Sequence, residues 1–188
     1  MAGKTENGGG RRGNRWRIAI WGGAALLLLL PLVAMQFTHE VNWGVGDFIG
    51  FGAMLLAACG TCELAARMTR NSAYRIAVGV AVAAAFILVW MNLAVGIIGD
   101  EGDPANLMFG GVLAVGIIGA VIARFQPQGM ARALITTALA QALVGMIALA
   151  MGSVEGFVLT GFFAALWLTS ARLFRKSARE QVPAGAAP

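Results

Sequence analysis

Charge is what this sequence holds least of. Only 12% of its 188 residues are Asp, Glu, Lys or Arg and 59% are hydrophobic, whereas a soluble domain carries roughly a quarter charged residues. That scarcity, together with long apolar runs, excludes an ordinary soluble domain, although the length alone would permit one. The single histidine excludes the paired membrane histidines of a b-type haem, and no CxxCH is present for covalent haem. The two cysteines, Cys59 and Cys62, sit in an apolar segment and cannot form a disulfide framework. No glycine-rich phosphate loop occurs. There is no chain of membrane acids and bases suited to proton pumping, and no filter-like string or charged ring of a channel. No nucleophile stands with a positioned base. These absences leave no catalytic residue and no cofactor to name.

What is present is a succession of apolar runs, each near the ~20 residues that cross ~30 Å of hydrocarbon. The expected fold is all-α: a polytopic transmembrane helical bundle with six spans, about 18–34, 48–66, 76–98, 107–122, 133–151 and 157–174. Together they form a transmembrane domain over 16–174. Residues 1–15 (MAGKTENGGGRRGNR) cannot bury enough surface to fold and read as a disordered basic tail. Residues 175–188 read as a second disordered tail. Basic residues precede the first run, as in a signal peptide, but no convincing small-residue cleavage site follows, so the first helix is expected to be retained. The tightest connection is MGSVEG, at 151–156, read as a turn because one continuous helix would carry Glu155 in lipid.

Charge placement tests this map independently. The expected cytoplasmic segments hold Lys4, Arg11, Arg12, Arg15 and Arg17, then Arg67, Arg70 and Arg75, then Arg124 and Arg132, then Arg172, Arg175, Lys176 and Arg179, which accounts for all 14 basic residues. The expected outer segments hold Glu40, Asp47, Asp100, Glu101, Asp103 and Glu155, and no Lys or Arg. Such asymmetry predicts both termini in the cytoplasm and an even number of spans. It also accounts for the net charge of +5 as a topology signal, so no nucleic-acid partner is expected.

The densest polar cluster is the outer stretch Gln36–Asp47, with His39, Glu40, Asn42, Trp43 and Asp47. Histidine beside a carboxylate can exchange a proton or hold a cation, and the same stretch also reads as a solvated loop with an interfacial tryptophan. Glu63, near the inner end of span two, is four residues before Arg67, a spacing that favours an ion pair on a helix; a functional carboxylate is the alternative. Asn92 and Gln141 are intramembrane amides, which must face protein or a water-filled cavity. Cys59 and Cys62 have C-x-x-C spacing, which suits soft metals or disulfide exchange but lacks further ligands here; buried cysteines are equally ordinary small apolar residues.

Glycine suggests where helices touch. Gly46 and Gly50 form a GxxxG pair at the entry of span two. The heptapeptide LAVGIIG occurs twice, at 93–99 and 113–119, and i, i+3 spacing puts Gly96 with Gly99, and Gly116 with Gly119, on one helix face each. All six are expected at helix-packing contacts.

The stretches PLVAMQFTHEVNWGVGDF and LVWMNLAVGIIGDEGDPANLMFGGVLAVGIIGA resemble those of a family of small bacterial multi-pass integral membrane proteins, over most of residues 18–150. The resemblance implies a location in the bacterial inner membrane and carries no catalytic residue with it. Relatives place an acidic residue where this chain has His39, which shifts the expectation toward Glu40, Asn42 and Asp47. The expected function is therefore a structural or accessory membrane protein without enzymatic chemistry. Its partners would be the lipid bilayer and either its own copies or another membrane protein. The alternatives are a small-solute or ion transporter using Glu40, Asp47, Asn92 and Gln141, and a redox or metal-binding protein centred on Cys59 and Cys62.

Overall fold

The computed structural model describes residues 8–39, 41–100 and 102–181. Six long helices make up the fold, and no strand occurs among the described residues: α1 (Gly8–Ala34), α2 (Val45–Met68), α3 (Ser72–Ala94), α4 (Leu107–Ile122), α5 (Pro127–Ala150) and α6 (Val154–Glu180). A short 3-10 turn, Pro104–Asn106, leads into α4. All six helices are long and apolar enough to cross a membrane, the fourth span including the 3-10 turn. The chain is a multi-pass membrane protein.

The helix ends follow local chemistry. Asp47 lies in the first turn of α2 and accepts the Gly44 N–H at 2.8 Å, satisfying a donor at the helix start from inside the helix. Asn71 caps α3, its Oδ1 accepting Tyr74 N–H at 2.9 Å. Pro127 opens α5, where its missing N–H costs nothing. Ser153 caps α6, and Gly152 before it adopts φ +86°, open to glycine without strain. Glu155 thus falls in the first turn of α6, where a carboxylate suits the positive end of the helix.

Among the boundaries that differ from the sequence reading, three change what lies inside a helix. First, α1 starts at Gly8, inside the stretch read as a tail, because extending an established helix is far easier than nucleating one. Second, α6 continues to Glu180. Phe174 and Ser177 are buried on its inner face, and Glu180 accepts from Asn71 Nδ2 at 2.8 Å. Third, α3 stops at Ala94, and residues 95–100 form a loop. The glycines of the first LAVGIIG therefore lie outside any helix, with Gly96 at φ +70° and Gly99 at φ +62°.

The chain divides into two compact units, with the boundary between Glu63 and Leu64. The first contains α1 and most of α2. There Leu28 lies 3.8 Å from where a Cβ on Gly52 would stand, and Trp43 packs edge-on against Phe48 and Phe51.

The second unit holds α3 to α6. Short connections make sequence neighbours antiparallel: α5 packs on α4 and on α6, and α6 packs on α3. Leu88, Phe109, Val112, Leu134, Phe163, Trp167 and Phe174 fill the core between them, while one face of α4, including Ile117, Ile118, Val121 and Ile122, is exposed and apolar. Small residues permit the close approach. A Cβ on Gly145 would come 3.0 Å from Thr160 Cγ2 across the α5–α6 contact. Polar ties join the same helices: the Ser170 hydroxyl donates to Ala77 O at 2.7 Å, linking α6 to α3.

Among the described residues, the α4–α5 connection is the one place where residues other than glycine take left-handed backbone, Arg124 at φ 49° and Phe125 at φ 58°. Each such residue costs roughly 1–2 kcal/mol. Two bonds hold the turn against that cost: Phe125 N–H donates to Ala120 O at 3.2 Å, and the Tyr74 hydroxyl donates to Phe125 O at 2.7 Å.

Candidate functional site

In the first unit the residue with most polar engagement is Glu63. Its Oε1 pairs with Arg17 Nη2 at 3.0 Å, and its Oε2 accepts from the Trp21 indole N–H at 2.9 Å. Arg17 and Trp21 are four apart on α1, so one face of that helix presents both donors to one carboxylate. The Glu63 side chain is 14% exposed and that of Arg17 57%. The sequence suggested Arg67 as the partner through i, i+4 spacing. The geometry adds a longer-range role, with Glu63 clamping α1 to α2.

His39 and Asn42 are exposed. Asp47 is exposed too, and its Oδ2 serves the helix start. Glu40 lies outside the described residues. Cys59 is buried and Cys62 half-buried, and both are free thiols. Among the described residues no group of three or more His, Cys, Asp or Glu is placed to hold a metal ion.

In the second unit Asn106 organises the loop that follows α3. Its Oδ1 accepts from Ile97 N–H and Ile98 N–H, both at 3.0 Å. Its Nδ2 donates to Ile98 O at 3.1 Å and Asp100 O at 2.8 Å. One buried amide thus meets four backbone groups that the loop leaves without helical partners. Asn92, from the last turns of α3, donates to Asn106 O at 3.2 Å. Asp103 caps the 3-10 turn through Ala105 N–H at 2.8 Å. This loop and the α5–α6 turn border an open cleft of about 700 Å³, lined by Val95, Gly96, Asp103, Ser153 and Glu155 among others. Asn92 and Gln141 are not among its lining residues.

Gln141 is fully buried on α5. Its Oε1 accepts from the Trp167 indole N–H on α6 at a long 3.4 Å, and its Nε2 has no hydrogen-bond partner among the described residues. Thr137 and Thr160, both buried, return their hydroxyls to their own helices, at Ala133 O and Gly156 O.

The six glycines separate into three pairs. Gly116 and Gly119 lie on α4 against α5: a Cβ on Gly119 would stand 2.8 Å from Ala133 Cβ, and one on Gly116 3.1 Å from Thr137 Oγ1. A Cβ on Gly46 or Gly50 would meet nothing within 4 Å among the described residues of the first unit. Gly96 and Gly99 lie outside any helix and take positive φ. Asn106, Ser170, Tyr74 and Trp21 carry more of the polar architecture than the sequence reading assigned them. Ser170 and Tyr74 could have been found as polar groups in otherwise apolar helices, which need partners there.

At the end of the second unit opposite the cleft, the arginines dominate. Arg70, Arg75, Arg124, Arg132, Arg172, Arg175 and Arg179 are all exposed. The ion pair seen among the side chains there is Lys176 with Glu180, at 3.9 Å.

No family model matches the chain, and neither the curated proteins nor the solved structures contain a match.

Proposed function

We propose that this chain is a structural or accessory protein of a bacterial inner membrane, of the small multi-pass family its sequence resembles. It acts through its helix surfaces on its own copies or on another membrane protein. The observation that carries this reading is the use made of the polar side chains buried in the second unit. Ser170, Tyr74 and Asn106 each tie one segment to another, and Thr137 and Thr160 satisfy themselves on their own helices. In hydrocarbon such bonds hold helices together, and polar groups so engaged are not free to line a solute path. The absence of Lys and Arg from every second connection along the sequence supports an orientation with both termini in the cytoplasm. The exposed GxxxG pair of α2, with Gly46 and Gly50, is the surface we assign to a partner helix.

A second reading, transport of a small solute or ion, draws on one atom. Nε2 of Gln141 is buried without a partner, and an orphaned donor costs roughly 1–3 kcal/mol, which a polar passenger would relieve. The metal or redox reading draws no support from Cys59 and Cys62, which lack further ligands.

One experiment separates the first two readings. Purified protein is tested by calorimetry for binding of protons, common cations and small solutes, beside E40A/D47A and Q141M variants of equal folding. The accessory reading expects no binding in any of them, with a membrane partner or second copy recovered by cross-linking from a cysteine placed at Gly50. Binding that disappears in a variant would replace it with the transport reading.

A further inference from the structure

The strained turn between α4 and α5 lies at the arginine-bearing end of the second unit. Arg124 and Phe125 both hold left-handed backbone, where glycine would sit without strain. This chain uses glycine 26 times, yet at these two positions it keeps an arginine and a phenylalanine. Both side chains are exposed, Phe125 at 49%. The residues just before the turn, Val121 and Ile122, are exposed and apolar. Arg75 follows Tyr74, whose hydroxyl holds the turn through Phe125 O. Arg132 stands one and a half helical turns into α5, and Arg172, Arg175 and Arg179 occupy the last turns of α6 at the same end.

We propose that this end of the second unit, centred on Arg124 and Phe125, is a docking surface for anionic phospholipid headgroups. The guanidinium groups of Arg75, Arg124 and Arg132 meet phosphate oxygens through charge-assisted hydrogen bonds. Phe125, with Val121 and Ile122 beside it, rests against the upper acyl chains. The mixture decides the occupant. A soluble polyanion would use the arginines and leave the apolar residues wet, whereas a membrane lipid presents phosphate directly above hydrocarbon. Topology alone accounts for the sign of the charge at this end. It does not account for long side chains at backbone positions made for glycine, and strain of that kind persists where the side chain has work to do.

The full chain, purified in a zwitterionic detergent, is titrated with phosphatidylglycerol, with phosphatidylcholine of the same acyl chains, and with inorganic phosphate. Bound lipid is counted by native mass spectrometry, and thermal unfolding is followed in parallel. Phosphatidylglycerol is expected to bind in preference, in a salt-sensitive way, with the preference falling roughly fivefold for each of R75Q, R124Q and R132Q. Equal binding of the two lipids, or an unchanged preference in the triple variant, overturns the proposal. Inorganic phosphate that protects as well as the lipid at equal concentration overturns it in favour of a free phosphate site. R124G covers the case in which the triple variant fails to fold. Glycine relaxes the turn, so its unfolding temperature should rise while its lipid preference falls; a rise with the preference intact would make Arg124 a turn residue only.

Discussion

The indole of Trp21 on α1 donates to the Glu63 carboxylate on α2 at 2.9 Å, and the second oxygen of that carboxylate holds Arg17 at 3.0 Å. A single side chain therefore receives both donors of one helix face. Replacing Glu63 with Ala should destabilise the protein by about 1.5–3 kcal/mol, the range for hydrogen bonds to a charged group. R17Q should cost less, about 0–1 kcal/mol, because the arginine is largely exposed and its pairing is screened. Thermal unfolding in detergent measures both, and Trp21 emission should shift in E63A. An R17Q loss as large as that of E63A would mean that the ion pair, and not the indole bond, carries the clamp.

Asn106 should be the most sensitive polar position of the second unit. N106A leaves Ile97 N–H, Ile98 N–H and Ile98 O without the amide they bond to, while Asp100 O keeps its bond from Asp103 N–H, and the change is expected to cost roughly 3–5 kcal/mol. N106D keeps the acceptor and loses the donor, and it sets a carboxylate against two carbonyl oxygens, so it should not rescue. Hydrogen exchange at Ile97 and Ile98 gives a local readout: fast exchange in N106A with the helices still protected is the expected pattern.

The Trp167–Gln141 pair lends itself to a double-mutant cycle. W167F strands both ends of the buried amide and should cost about 1–3 kcal/mol. Adding Q141M removes the stranded groups altogether and should restore stability to within about 1 kcal/mol of the parent, since paired polar groups replaced together by apolar ones of similar size are nearly neutral. If the second substitution instead deepens the loss, the amide has a partner beyond the indole.

Glycine substitutions should divide by location. G119A drives a methyl group to 2.8 Å from Ala133 Cβ and 3.3 Å from its Cα, and is expected to destabilise by about 1–3 kcal/mol. G46A and G50A meet open space and should leave the isolated protein unchanged or up to about 1 kcal/mol more stable, through helix propensity. The two should nevertheless weaken any self-association measured by cross-linking, because that is where their surface is used.

Hydrophobic length and charge placement made the six helices legible, since lipid admits few other arrangements of an apolar chain. The two copies of LAVGIIG mark where such reading stops. The second copy is helical throughout, whereas the first unwinds after Ala94 and turns at Gly96 and Gly99. Seven identical residues cannot carry that difference. Its origin lies downstream of the first copy, where Asp103 and Pro104 start a 3-10 turn and Asn106 offers the backbone four alternative bonds. Among the candidate residues, Asn92 and Gln141 stood out as amides in apolar helices. The Trp21–Glu63 bond did not, because pairing across 42 residues arises from packing and not from spacing.

One consequence concerns the membrane this protein can inhabit. α4 has 16 residues, against 23 to 27 in the other helices, and by itself reaches about 24 Å, short of the hydrocarbon layer. The 3-10 turn adds about 6 Å. This span is the shortest rung of the ladder, and it fixes the thickest slab that the second unit matches without strain. Mismatch with a thicker bilayer falls on its ends: at one lies the Asn106 knot, and at the other the turn that carries Arg124 and Phe125. Membrane thickness is thereby coupled to the two places where the backbone of this unit departs furthest from regular helix.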